Sequence, residues 1–293
     1  MEGLLNVASP REVMLLLQRY GLNPRHSLGQ NFLIDGNTIK KIISAAAVKT
    51  GDAVVEIGPG AGAITVELAR CGTRVLALEL DRGLSGMLRD LLQSFPSVTV
   101  LQEDALKVTW PALLGRYFPA GERIKLVSNL PYYISAPLLY ALFEEQFPFA
   151  GAVLMFQKEV AQRLIAPAGD HNYGGLSVLA QYFTTGRILF KVSRRAFWPV
   201  PGVDSVVIGL KPRQKMLSAE EEALFRQIVR GSFQQRRKTI LNNMLTMLPY
   251  SRDIIGDLML AASVKPDCRP ETITVDQFAN LSRIIYNYVS KTK

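Results

Sequence analysis

The sequence predicts an α/β fold, a doubly wound and mostly parallel sheet of seven strands covered by helices, followed by a small all-helical domain. Three observations predict it. Short apolar, β-branched runs alternate with helical patterns from residue 53 to residue 210, as in a parallel sheet covered on both faces. The first of these runs enters a glycine-rich turn. Beyond Lys211-Pro212-Arg213-Gln214-Lys215, which has the composition of a linker, the apolar patterns have helical spacing.

The elements follow in order. Pro10 to Tyr20 reads as a helix, with Pro10 suited to the first turn and Gly21 to the stop. A loop through Asn31-Phe32 leads to Asp35, which can cap a helix reaching about Val48. Strands are expected at 53–57, 74–79, 98–101, 124–127 and 152–156, with helices at 63–70, 84–94 and 136–146 between them. Helices at 158–165 and 176–183 precede strands at 188–192 and 205–210. Only a loop separates these last two strands, so they are expected as an antiparallel pair at one edge. Helices are then expected at 218–233, 237–248, 251–260 and 275–289, the first opened by Ser218 with acids in its first turn. The expected domains are 1–212 and 213–293.

Composition narrows the function classes. The chain has 293 residues, 48% apolar and 20% charged, an ordinary globular balance. No apolar run reaches the roughly 18 residues a membrane span needs, and the N-terminus has no basic segment followed by a long apolar one, so neither a membrane anchor nor a secretory signal is expected. Two cysteines, Cys71 and Cys268, and two histidines, His26 and His171, build neither a disulfide framework nor a metal centre. A reducing, cytoplasmic setting, no metal and a monomer are the expectations. The net charge of +9 favours a polyanionic partner. The excess is densest after residue 212, where 13 Lys/Arg face 8 Asp/Glu, against 21 and 17 before it.

The turn Glu56-Ile57-Gly58-Pro59-Gly60-Ala61-Gly62 lets backbone approach a ligand without Cβ clashes. Its spacing also fits a loose dinucleotide fingerprint. Glu79, about twenty residues on, ends the second strand, where a carboxylate can accept both ribose hydroxyls. Asp104 follows the third strand, where it can accept from an adenine amine. These positions indicate a nucleoside and leave open which cofactor carries it.

Asn129-Leu130-Pro131-Tyr132-Tyr133 decides between cofactors. It lies at the carboxyl end of the fourth strand, the edge at which open α/β sheets bind ligands. An adenine exocyclic nitrogen is a poor nucleophile, because its lone pair is delocalised into the ring. The Asn129 side-chain carbonyl and the Leu130 backbone carbonyl can accept from its N–H groups and favour a pyramidal nitrogen. Pro131 stiffens the turn, and Tyr132 can stack on the base. A methyl carried on a sulfonium needs no metal, so alignment and electrostatics suffice. S-adenosylmethionine is therefore the expected methyl donor. Phe197, in Phe197-Trp198-Pro199-Val200-Pro201-Gly202-Val203-Asp204-Ser205, is expected as a second wall of the base pocket. Arg194, Arg195, Arg236, Arg237 and Lys238 are expected to contact nucleic-acid phosphates.

Taken together, His26 to Leu33, the Gly58 turn, Glu79, Asp104, Asn129 to Tyr133, Phe197 to Ser205 and Gln235 to Lys238 resemble the bacterial KsgA/RsmA family of ribosomal RNA adenine dimethyltransferases. The resemblance covers nearly the whole chain. It implies a Rossmann-like class I methyltransferase domain and a helical RNA-binding domain. It implies a cofactor site of Asn31, Leu33, Gly58, Gly60, Glu79, Asp104 and Asn129, with residues 1–34 closing over the cofactor. It further implies dimethylation of two adjacent adenosines in the 3′-terminal hairpin loop of small-subunit ribosomal RNA, on an assembling 30S particle. Three other readings stay open at this stage. They are a large-subunit methyltransferase of the macrolide-resistance type, a non-catalytic nucleic-acid-binding assembly factor on the same fold, and an NAD-dependent dehydrogenase.

Overall fold

The computed structural model describes residues 7–25, 28–145, 147–235 and 237–292. His26, Ser27 and Arg236 lie outside the described residues. In chain order the helices are α1 (Pro10–Arg19), α2 (Gly36–Ala46), α3 (Ala63–Arg70), α4 (Arg82–Leu91), α5 (Trp110–Tyr117), α6 (Ser135–Glu144), α7 (Lys158–Ile165), α8 (Gly175–Phe183), α9 (Ala219–Ser232), α10 (Ile240–Leu245), α11 (Arg252–Ala261) and α12 (Val275–Thr292). The strands are β1 (Phe32–Leu33), β2 (Ala53–Ile57), β3 (Arg74–Glu79), β4 (Val98–Gln102), β5 (Ile124–Asn129), β6 (Phe149–Gln157), β7 (Thr184–Val192), β8 (Phe197–Trp198) and β9 (Ser205–Pro212).

Helix starts follow the local chemistry of their first residues. Ser9, Asp35, Asp81, Ser218 and Ser251 each accept from backbone N–H groups in the first turn of α1, α2, α4, α9 and α11. Each such cap contributes about 1 kcal/mol. Thr239 caps α10, so the helix expected from residue 237 begins at Ile240, past the basic turn. Asp81 likewise starts α4 at Arg82, two residues before the expected position. The sequence pattern did not suggest α5, which opens on Trp110-Pro111. Its Trp110 is wholly buried and meets Phe147 edge-on, with centroids 5.0 Å apart.

The main sheet has the order β4-β3-β2-β5-β6-β9-β7. β2 lies parallel to both β3 and β5, and β4 and β6 extend the sheet in the same direction. The winding reverses between β2 and β5, which opens a crevice at the carboxyl ends of these strands. β9 runs antiparallel to β6, from Ala152↔Leu210 to Gln157↔Ser205. The last two strand candidates do stand side by side at one edge of the sheet, with β7 outermost. β9 is interior, between β6 and β7, because Val206, Val207 and Ile208 are buried on both faces of the strand. β7 alternates exposed and half-buried residues along most of its length, as an edge strand does.

The chain divides into two compact units, Met1–Ala161 with Arg187–Pro212, and Gln162–Gly186 with Arg213–Lys293. The segment 162–186 groups with the helical unit rather than with the sheet, which differs from a boundary at residue 212 alone. Its side chains account for this. Tyr182 packs on Phe225 with centroids 4.3 Å apart and donates to the buried Glu222, while the Tyr173 hydroxyl donates to the Ile273 carbonyl. No described helix is long and apolar enough to cross a membrane.

Candidate active site

The site is built at the carboxyl edge of β2, β3 and β5. Gly58 leaves β2 with φ +69°, and a Cβ there would lie 2.7 Å from Pro131 Cγ. Glycine is thus required twice at this position, by backbone conformation and by the close approach of the Asn129–Tyr132 turn. Two buried serines tie this turn down. Ser128 Oγ accepts from the Ile57 N–H at 2.8 Å, and Ser135 Oγ donates to the Pro131 carbonyl at 2.9 Å. The glycine turn and the Asn129 turn therefore form two walls of one cleft.

Polar groups without partners mark the inside of this cleft. Asn129 Oδ1 is buried and has no hydrogen-bond partner among the described residues. An acceptor left in this state costs about 1–3 kcal/mol, which a ligand's N–H can recover. Glu56 is 1% exposed, and its Oε2 is likewise buried and unpartnered. Burial, reinforced by the charge of Glu79, pushes the Glu56 carboxyl up to about 8. Glu79 accepts from the Gly60 N–H at 3.0 Å and the Asp81 N–H at 2.9 Å, one on each oxygen. Burial outweighs these bonds and raises its carboxyl to about 7. A cation beside Glu56 would favour the ionised form of both acids.

The third wall is the N-terminal segment. β1 pairs antiparallel with β8, setting Phe32 against Trp198 and Leu33 against Phe197. The Phe32 and Trp198 rings stack with centroids 6.4 Å apart. Upstream, Arg25 lies 3.1 Å from Asp81 Oδ2, and Gln30 Nε2 donates to the same oxygen at 3.4 Å. Asp81 thereby caps α4 and fastens this segment beside Glu79. The short β1–β8 ladder joins two stretches that the sequence showed only as separate motifs.

The structure brings most of the expected site residues together. Asn31, Leu33, Gly58, Gly60, Glu79, Asp104, Asn129, Leu130, Pro131 and Tyr132 all line the cleft. Asn31 Nδ2 donates to the Gly29 carbonyl at 3.0 Å. Asp104 Oδ1 accepts from the Leu106 N–H at 3.0 Å. Phe197 stands elsewhere. It is 1% exposed and meets the Tyr132 ring edge-on, at 6.4 Å and 66°, behind the cleft surface. Arg194 and Arg195 are exposed in the sheet-bearing unit, and Arg237 and Lys238 are exposed in the helical unit. Arg236 is outside the described residues. Glu56, Asp81 and Ser205 were not singled out from the sequence. Glu56 carried a signal, since it is an acid inside an otherwise apolar strand.

Among the described residues, no group of three or more His, Cys, Asp or Glu side chains could hold a metal ion. A parallel sheet extended beyond β6 by an antiparallel β9 and then β7, with a glycine turn and an acid at the ends of β2 and β3, defines a Rossmann-like fold of the class I methyltransferase kind. A dimethyladenosine transferase from Plasmodium falciparum shares the fold with a TM-score of 0.68 and 27% identity, over 88% of this chain and 97% of that one. The 23S rRNA methyltransferase ErmE does so with a TM-score of 0.63 and 26% identity, over 87% and 100%. A ribosomal RNA small subunit methyltransferase A from Pelotomaculum thermopropionicum is 44% identical over 283 residues, 94% of this chain and 96% of that relative. The chain belongs to the ribosomal RNA adenine dimethylase family, whose profile matches residues 21–286.

Proposed function

We propose that the chain transfers methyl groups from S-adenosylmethionine to N6 of two adjacent adenosines in the 3′-terminal hairpin loop of small-subunit ribosomal RNA. The product is N6,N6-dimethyladenosine, made in the cytoplasm on an assembling 30S particle. The observation that carries this reading is the buried, unpartnered Asn129 Oδ1, held in a cleft by a turn packed closely against Gly58. An acceptor fixed there fits an exocyclic amine. The names of the family and of the relative from Pelotomaculum support the choice of base and of ribosomal subunit.

S-adenosylmethionine, when bound, supplies an electrophilic methyl group on a sulfonium. The residues present fit it. Each Glu79 oxygen keeps a lone pair for a ribose hydroxyl after accepting from backbone. Asp104, which lines the cleft, would accept from the adenine amine of the donor, and Asn31 and Leu33 would cover it from the N-terminal segment. We assign Glu56 to the positive end of the donor, because ionising a buried carboxyl requires a cation nearby. On the substrate side, Asn129 Oδ1 and the Leu130 carbonyl orient the amine, and Tyr132 offers its ring to the base with Phe197 behind it. Arg194, Arg195, Arg236, Arg237 and Lys238 are proposed to meet RNA phosphates.

The test is transfer of tritiated methyl to undermethylated small subunits, followed by nucleoside analysis and mapping of the modified positions. Label is expected in dimethyladenosine of the small-subunit RNA. Asn129→Ala should abolish transfer while the protein keeps its melting temperature. Full activity in that variant, or label confined to large-subunit RNA, would overturn the reading.

A further inference from the structure

Tyr132 is held from two sides. Its hydroxyl lies 2.6 Å from Ser205 Oγ, and its ring edge meets the buried Phe197. Ser205 is wholly buried at the first position of β9 and pairs in register with Gln157 of β6. It cannot swing out with a mobile loop, because the sheet fixes its backbone on one side. The chain also enters Tyr132 through Pro131, whose carbonyl Ser135 Oγ secures. A tyrosine fixed at Cα by its turn and at its hydroxyl by a buried partner has lost rotation about χ1, and the edge contact with Phe197 limits how far the ring turns about its own axis.

We infer that Ser205 is a positioning residue for methyl transfer, tethering the Tyr132 hydroxyl so that the ring axis keeps one direction beneath the target base while Phe197 limits the turn of the ring. This rests on the proposed function for the identity of the base. The tether itself rests on the hydroxyl pair alone. Stacking on an untethered ring would still bind a base, since any ring face attracts any base. What the tether adds is the angle at which N6 meets the Asn129 acceptor, and small misplacements at a reacting centre reduce turnover far more than binding. Ser205 touches neither substrate nor cofactor in this scheme.

The test compares wild type, Ser205→Ala, Tyr132→Phe and the double variant, each as the full chain with undermethylated small subunits. Both single variants remove the same bond from opposite ends. Each is expected to lower kcat about five- to tenfold, with KM for S-adenosylmethionine unchanged and the melting temperature lowered by no more than one lost buried hydrogen bond accounts for. The double variant should lose no more than the worse single one, because one interaction cannot be removed twice. Losses that multiply in the double variant, or wild-type kcat in Tyr132→Phe, would overturn the inference. If Ser205→Ala lowers the melting temperature by more than that one bond, Tyr132→Phe alone decides. A second readout needs no RNA. With 3-fluorotyrosine incorporated at position 132, fluorine NMR should show no more than the two lines of the two ring-flip orientations with Ser205 present, and shifted, broadened or additional lines in Ser205→Ala as the ring axis also moves. Identical spectra would overturn the tether. Absence of methyl transfer by the wild type would instead count against the proposed function, and the fluorine spectra would then judge the tether by themselves.

Discussion

The chemistry of the cleft is concentrated in a few side chains whose surroundings are unusual. Gly58 is one. Gly58→Ala would place a Cβ 2.7 Å from Pro131 Cγ at φ +69°. The left-handed conformation alone costs about 1–2 kcal/mol for an L-residue, and the Asn129 turn must move as well. Melting temperature should fall modestly and methyl transfer should fall much further. An active, destabilised variant would mean that the Asn129 turn tolerates displacement. Glu56 and Glu79 give a pH prediction. Their carboxyls are raised to about 8 and about 7 in the fold, from 4.5. Between those values the folded protein keeps protons that the unfolded chain has released, so stability is full below about pH 4.5 and declines toward pH 8. Without cofactor, the melting temperature should drop over that interval, and Glu56→Gln should flatten part of the drop. Binding of a cationic donor to an ionised Glu56 should also tighten with rising pH. A flat calorimetric affinity profile across this range would remove Glu56 from the donor site.

Among elements, the N-terminal segment depends on two small devices, the β1–β8 ladder and the hold of Asp81 on Arg25 and Gln30. The two functions of Asp81 can be separated. Asp81→Ala removes the α4 cap and should cost about 1 kcal/mol of stability as well as loosening the segment. Arg25→Ala removes only the outer contact, and Arg25 is 60% exposed, so stability should barely change. Both variants should raise KM for S-adenosylmethionine, measured under saturating RNA. If Arg25→Ala leaves that KM unchanged, the segment is held by β1 alone. In the helical unit the buried Glu222 accepts from Tyr182 and lies 2.9 Å from Lys215 and 3.6 Å from Arg226. Glu222→Ala strips the partner from the mostly buried Arg226 and should destabilise this unit by about 3–5 kcal/mol, read by denaturant unfolding.

For the whole molecule, the net charge of +9 and its concentration after residue 212 bear on RNA affinity. If Arg237 and Lys238 meet phosphates, replacing both by alanine should weaken binding alike for all RNA sequences. It should also reduce the slope of log affinity against log salt by roughly 1.4–1.8, from about 0.7–0.9 per contact. An unchanged slope would place the polyanion contacts elsewhere. The alternation of strands and helices was legible in the sequence because covered parallel strands must be apolar and their helices amphipathic, and seven strand segments emerged from that pattern. The edge position of β7 and β9 was legible too, from the short loop between them. Which of the two pairs with β6 was not, and the burial of Val207 and Ile208 shows that it is β9.

By itself the sequence determined the chemistry-bearing residue types and their positions after strands: the glycine turn, Glu79, Asp104 and Asn129 to Tyr132. Those choices are local, because each depends on what one backbone stretch can present to a ligand. Only the tertiary structure decided which distant groups support them. Pro131 against Gly58, Ser205 on the Tyr132 hydroxyl, Phe197 behind that ring, and Glu56 Oε2 left without a partner are contacts or absences of contact between segments far apart in the chain. No periodicity encodes them, since they arise when separate strands end at one sheet edge and their side chains are packed out of water together.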